Sequence, residues 1–243
     1  MKKILLIGST GYLGKKLKLK LSKNNILVCP SRKKGFDIRK KSELKKYLNN
    51  KIDIVINLSG QQSENQRNMT DVIRMGNKNI IELSSRIKKN IKLIYISTSL
   101  VYGTSNKIFK ENSKIKPINK YEKNKYDIEK LYMKCENDYI ILRICNLYGR
   151  DKNKGVISQI IKSILKKKTF YFDNINTTKN FIFIGDVVCI INKLIYKNIK
   201  NKVFNVGNEN IKFTGSLIKT TFILLASLTV PHMIFIDKFI HNR

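Results

Sequence analysis

Residues 4–14 read ILLIGSTGYLG, four apolar residues that run into three glycines, Gly8, Gly11 and Gly14, spaced three apart. A short, unbroken apolar run is the mark of a strand buried on both faces. The first glycine permits a tight turn out of the strand. The second lets the backbone approach a pyrophosphate, and the third lets a helix pack close to the sheet. The N-terminus of that helix then points its free N–H groups at the anion. The spacing is GxxGxxG rather than GxGxxG, and such a pattern is weak alone. Its place at the first strand–helix junction gives it weight. Gly8, Thr10, Gly11, Tyr12, Leu13 and Gly14 are therefore candidate dinucleotide-binding residues.

Outward from this stretch, strand-like runs alternate with amphipathic helical ones. A helix from about Gly11 to Lys23 repeats Leu13, Leu17 and Leu21 at four-residue steps, with lysines on its other face. Strands are expected at Ile26–Cys29, Asp53–Leu58, Leu93–Ile96 and Tyr139–Leu142. Helices are expected at Ser42–Leu48, with Ser42 as its N-cap, within Thr70–Lys88, and at Tyr121–Lys134. Repeated β-α units predict an α/β fold, a doubly wound Rossmann-type parallel sheet with helices on both faces. Further strands at Phe181–Ile184 and Val203–Val206 flank a helix at Asp186–Tyr196, and Lys166-Lys167-Lys168 sit at a helix end. Residues 1–150 are expected to form the nucleotide-binding domain, with elements from about 180–207 returning to it. Residues 151–243 would supply a reduced substrate lobe and an atypical tail.

Hydrophobic residues make up 42% of the 243, enough for a substantial core. Cys29, Cys135, Cys145 and Cys189 form no CxxC and no metal-ligand spacing, as expected of reduced thiols in a cytoplasmic protein without a metal site. The two histidines, His232 and His241, both lie in the tail, which excludes a histidine dyad or zinc site within the main fold. Lys and Arg number 49 against 17 Asp and Glu, a net charge of +32. Such a field favours anionic partners. Lysine, asparagine and isoleucine are abundant along the whole chain, however, so a compositional bias is the better account and a nucleic-acid partner is not expected. The apolar stretch after Lys2-Lys3 is too short for a secretory signal. Thr220–Ile236 (TTFILLASLTVPHMIFI) contains no charged residue in 17, interrupted by Pro231 and His232. That is the short edge of a membrane span, so a buried C-terminal element is favoured over membrane contact.

Three further stretches carry chemistry. After the second strand, where an acidic residue would favour NAD, the chain reads Ser31-Arg32-Lys33-Lys34. Cations there suit a 2′-phosphate and favour NADP. The fourth strand runs into the hydroxyls Ser97-Thr98-Ser99, at the strand end where ligands of open α/β sheets bind. KYEKNKYDIEK (120–130) holds two Tyr-x-x-x-Lys pairs, Tyr121/Lys125 and Tyr126/Lys130, each sharing a helix face. A phenol is a poor base, and a neighbouring ammonium is expected to lower its pKa and ease proton exchange. A hydroxyl, a tyrosine and a lysine around a nicotinamide suffice to oxidise an alcohol or reduce a carbonyl.

Taken in order, these features resemble the extended short-chain dehydrogenase/reductase family, the NAD(P)-dependent sugar-nucleotide epimerases, dehydratases and reductases, over about residues 2–207. The resemblance implies that Asp37 and Ile38 of the FDI stretch meet the adenosine end, and that Leu58, Ser59 and Gly60 of INLSG line the cofactor. In ILRICNLYG (141–149), Arg143, Asn146 and Tyr148-Gly149 would lead to the substrate, with Asn146 binding it. NFIFIGDVV (180–188) and VFNVG (203–207) resemble two later family blocks. Pro117, Asn124 and Glu129 fit the family pattern around Tyr121/Lys125. Tyr121 would be the acid/base, Lys125 would hold the ribose and lower the tyrosine pKa, and Thr98 would hydrogen-bond the substrate oxygen. Tyr126/Lys130 is then a solvated surface pair.

The implied activity is hydride transfer on a nucleotide-sugar, with homodimerisation through the helices near 70–88 and 121–134. The chain also departs from the family. Lys179-Asn180 stands where a basic–acidic pair is usual, and the likeness fades near Phe213. A non-catalytic cofactor- or RNA-binding protein on the same fold, or an inactive truncated enzyme, are the alternatives.

Overall fold

β1 (Lys3–Ile7) leads into α1 (Tyr12–Leu21), then β2 (Ile26–Val28), a 3-10 turn at Arg32–Lys34, α2 (Lys41–Lys45) and β3 (Ile54–Asn57). α3 (Gln66–Ser85), β4 (Lys92–Thr98), a 3-10 turn at Ser99–Tyr102, α4 (Lys120–Met133) and β5 (Tyr139–Ile144) follow. The chain continues through β6 (Asn146–Tyr148), α5 (Val156–Leu165), β7 (Thr178–Lys179), β8 (Phe181–Phe183), α6 (Ile184–Tyr196), β9 (Lys202–Val206) and β10 (Lys212–Phe213). These elements belong to a computed structural model that describes residues 1–60, 66–104, 108–149, 155–166, 178–208 and 212–213. The tail segment 220–236 and Lys167-Lys168 lie outside the described residues.

The chain divides into two units. The first comprises Met1–Cys145 and Gly185–Val206. Its six strands are all parallel, in the order β2-β1-β3-β4-β5-β9. From β1 the sheet grows to β2 on one side and to β3 on the other. The strand order therefore reverses there, and the crevice beyond the ends of β1 and β3 is where such sheets bind ligands.

Side-chain alternation assigns the two faces. Leu5, Ile7, Val55, Leu93, Tyr95 and Ile141 pack with Met69, Ile73 and Ile80 of α3 and with Ile128 and Tyr132 of α4. Their neighbours Ile4, Leu6, Ile54, Ile56 and Ile94 point the other way and are equally buried. α1 buries Leu13, Leu17 and Leu21. At the end of α1, Asn25 Nδ2 donates to the Leu21 carbonyl (3.1 Å) and to the Tyr196 hydroxyl of α6 (2.8 Å). The sheet is doubly wound, as the alternating pattern predicts.

Two helix starts differ from expectation. α2 begins at Lys41 with Lys40 as its N-cap, so Ser42 lies inside the helix. Glu43 fixes that start by accepting the Asp37 N–H (2.6 Å), while the Lys40 carbonyl takes the N–H groups of Glu43 and Leu44. α3 begins at Gln66, a turn before Thr70, because Met69 joins Ile73 and Ile80 in the core.

In the second unit β6 pairs in parallel with β8, from Asn146↔Phe181 to Tyr148↔Phe183, and β7 pairs antiparallel with β10. No helix of the described residues is long and apolar enough to cross a membrane. None of the four cysteines is in a disulfide.

Candidate active site

The glycine turn is built by close approach. Gly8 adopts φ +83°, and a Cβ there would stand 3.0 Å from the Leu58 carbonyl carbon. A Cβ on Gly14 would stand 2.1 Å from the Gly8 carbonyl oxygen, so α1 can sit this close only with glycine at that position. Gly11 is different. It is the exposed N-cap of α1, with no side chain capping the helix, and a Cβ there would meet only the Gly8 oxygen, at 3.3 Å. The first N–H groups of any helix have no intrahelical acceptor, which suits the start of a helix to an anion. The turn thus has the open, donor-rich side that a pyrophosphate requires.

Beside it lies a cleft of about 270 Å³. Of the candidate residues, Gly8, Thr10, Ser31, Arg32, Ile38, Ser59 and Gly60 line it. Tyr12 and Leu58 adjoin the turn without lining the cleft, and Leu13 and Gly14 are buried beneath it. Phe36 and, from α3, Asn68, Met69 and Val72 complete the walls. Asn68 and Met69 fall before the helix when it is started at Thr70. The apolar spacing of Met69, Ile73 and Ile80 is the signal that would have found them.

Asp37 does not line the cleft; its neighbours Phe36 and Ile38 do. Its carboxylate is taken up by Arg39, with Nε at 3.0 and 2.9 Å and Nη2 at 2.5 Å. That guanidinium holds the Asp37 carboxyl below the usual range, and donates onward to Asn68 Oδ1 (3.0 Å). Asp37 therefore braces the wall.

The floor is held by buried amides. Asn57 Oδ1 accepts the N–H (3.0 Å) and hydroxyl (2.7 Å) of Ser59. Asn57 Nδ2 donates to Asn77 Oδ1 (2.8 Å), which also takes the Tyr132 hydroxyl (2.9 Å).

The Tyr-x-x-x-Lys segment starts α4. Asn119 caps the helix by accepting the Glu122 N–H (3.0 Å), and Glu122 returns a bond from the Ile118 N–H (2.6 Å). One turn on, Lys125 is 4% exposed, and its Nζ donates to the Ile96 carbonyl of β4 (2.9 Å). The nitrogen lies 5.1 Å from the Tyr95 ring centre and 5.9 Å from that of Tyr121. Burial lowers the Lys125 pKa to about 8, against an opposing pull from Glu129. The expectation for Tyr121 is corrected: burial, assisted by Glu122, pushes its phenol up to about 12. Lost hydration outweighs an ammonium whose hydrogen bond goes to the main chain. Thr98 Oγ1 accepts the Leu100 N–H (3.3 Å). Lys130 lies 5.1 Å over the Tyr126 ring and pairs with Asp127 (2.8 Å) on the helix surface.

Over residues 4–207 the sequence matches the NAD dependent epimerase/dehydratase family. The chain belongs to that family. It is 29% identical over 175 residues to the ADP-L-glycero-D-manno-heptose-6-epimerase of Brachyspira hyodysenteriae, covering 66% of this chain and 54% of that protein. It is 27% identical over 257 residues to the dTDP-D-glucose 4,6-dehydratase of Dictyostelium discoideum, covering 86% and 59%. The chain thus spans a little over half the length of these two relatives. The fold is shared with RMD from Pseudomonas aeruginosa complexed with NADPH (TM-score 0.81, 21% identity, 93% of this chain and 84% of that one). It is also shared with dTDP-glucose 4,6-dehydratase from Bacillus anthracis in complex with NAD (TM-score 0.79, 19% identity, 93% and 82%).

Two further residues of this epimerase/dehydratase chain are engaged by their own neighbours. Arg143 is 2% exposed and spent internally on Glu129, on the Tyr102 hydroxyl (2.6 Å) and on the Glu111 carbonyl (3.0 Å). Asn180, where an acid is usual, donates to the Asn208 carbonyl (2.6 Å) and accepts the Asn208 N–H (2.9 Å). An aspartate could not make the donor half of that exchange. Asn146 lies in the same second unit, and its Nδ2 donates to the Asn180 carbonyl (3.0 Å).

Proposed function

We propose that this chain carries out NAD(P)-dependent hydride transfer on a nucleotide-sugar, as an epimerase, dehydratase or reductase, with Thr98, Tyr121 and Lys125 as its reacting side chains. The observation that carries this is Lys125, a buried amine fixed on the Ile96 carbonyl beside the rings of Tyr95 and Tyr121. The glycine turn, the Ser59-Gly60 floor and the apolar wall would hold the dinucleotide, and Ser31 and Arg32 would take a 2′-phosphate, which favours NADP over NAD. When bound, the nicotinamide supplies or accepts the hydride.

Lys125 would donate to ribose hydroxyls. Thr98 Oγ1 already accepts a backbone N–H, so its own O–H remains to be given to the substrate oxygen. Tyr121 moves the proton of the sugar hydroxyl at its phenolic oxygen. With its pKa pushed up to about 12 it holds that proton at neutral pH and is set to give it to a developing alkoxide, the reductive direction. Two relatives bear the names of ADP- and dTDP-linked sugar enzymes, which supports a nucleotide-sugar as substrate. Cysteines outside any disulfide accord with the cytoplasm, and α3 with α4 would form a homodimer.

The test is titration with NADPH, NADH, NADP and NAD, followed by a nucleotide-sugar screen that follows NADPH absorbance. Tyr121→Phe should lower kcat about a thousandfold and leave NADPH affinity nearly unchanged. Folded protein that binds none of the four nucleotides would overturn the proposal.

A further inference from the structure

A second set of buried charges stands behind the Tyr-x-x-x-Lys segment. Glu129, one turn beyond Lys125, is fully buried. Arg143 of β5 grips it with Nε at 3.0 Å and Nη2 at 2.7 Å. Ser97, the neighbour of Thr98 on β4, donates its hydroxyl to the same carboxylate. The guanidinium is fixed in turn by the Tyr102 hydroxyl and the Glu111 carbonyl. Tyr102 donates to Asn205 Oδ1 of β9 (2.7 Å) and stacks on Phe109 at 4.7 Å. A buried ion pair this fully hydrogen-bonded holds its members in one geometry.

We propose that Glu129 and Arg143 form a positioning pair for Lys125, the Glu129 carboxylate keeping the buried lysine an ammonium and Arg143 with Ser97 keeping that carboxylate in place. Lys125 meets Tyr95 and the Ile96 carbonyl from β4 and the Tyr121 ring from its own helix, on which Glu129 follows four residues on, also buried. Arg143, from β5, stands behind Glu129. The Glu129 carboxylate, one helical turn from the amine, raises its pKa against the desolvation that favours the neutral form. An ammonium has three N–H groups, of which the Ile96 carbonyl uses one. The others are what a ribose would need. The inference rests on Lys125 as the cofactor-side residue of the proposed function only for its purpose. Its physical content is the charge state of one amine.

The experiment follows that amine directly. In ¹³C-lysine-labelled protein, the Lys125 Cε signal is identified by its loss in Lys125→Met and titrated by NMR in the wild type, Glu129→Gln and Glu129→Gln/Arg143→Met. Glu129→Gln leaves the Arg143 cation uncompensated, so the midpoint should fall by about one pH unit or more. The double variant keeps a neutral, fully packed pair, and its midpoint should lie between the other two. Should Glu129→Gln fail to fold, a midpoint of the double variant below the wild type carries the test. An unchanged Lys125 midpoint in the variants that fold would overturn the proposal. No cofactor or turnover enters this readout, so its failure is distinct from a failure of Tyr121 as proton carrier.

Discussion

The nucleotide cleft and the seam where β4, α4 and β5 meet are made of opposite materials. The cleft is backbone and hydrocarbon: glycines at van der Waals limits, Ile38, Met69 and Val72 on its walls, and Arg32 at its rim. The seam is polar side chains in the interior: Glu129, Arg143, Lys125 and Ser97, each at most 4% exposed. One region is specified by space, the other by charge. They should therefore fail in different ways when a single atom or a single charge is changed.

The largest effect is expected in the seam. Arg143→Met leaves the Glu129 carboxylate buried without its main counterion, which should cost about 4 kcal/mol in urea unfolding. Glu129→Gln/Arg143→Met should recover most of that loss, since a neutral pair of similar volume carries no desolvated charge. Equal losses in the two variants would show that packing, not charge, specifies the seam and would remove the contrast. Next comes the cleft. Gly14→Ala sets a Cβ against the Gly8 oxygen and should cost about 3 kcal/mol through overpacking. That loss should be indifferent to salt and to pH between 6 and 9, in contrast to the seam. The smallest effect is at the rim. Arg32→Ala should weaken NADPH about tenfold and leave NADH unchanged, because an exposed guanidinium on a phosphate contributes about 1–2 kcal/mol. Equal weakening of both nucleotides would assign Arg32 to shaping the cleft instead of reading a phosphate.

The contrast also explains what could be read from the sequence. The glycine turn is legible because its parts lie within seven residues and its spacing is its geometry. The parallel sheet is legible because each strand is a short apolar run between amphipathic helices. Lys125 and Glu129 are legible as neighbours on a helix face. Arg143 is not legible as their partner, because no periodicity links position 143 to position 129. Only the register of β5 beside β4, with Arg143 opposite Ser97, brings them together. Asn57, Asn77 and Tyr132 meet for the same kind of reason, on three separate elements. The Tyr121 pKa departs from the sequence expectation because a neighbouring cation can be counted in a sequence and lost hydration cannot.

β9 closes the sheet against β5, from Ile140↔Lys202 to Ile144↔Val206, although the second unit's residues 146–184 lie between them in the chain. A ribosome therefore delivers β5 well before its partner. At about 5–20 residues per second the wait is several seconds. During it, Ile140, Ile141 and Leu142 present a bare apolar strand edge, the kind that templates aggregation. Asn205 arrives on the same late strand and brings its bonds to Tyr102, Glu111 and Phe109. The order of synthesis thus makes the β5 edge, with the bonds that hold Tyr102 and Glu111 behind Arg143, the last part of the first unit to be completed. A nascent chain that stalls before Lys202 holds a finished glycine turn beside an open sheet, and is a client for chaperones or proteases.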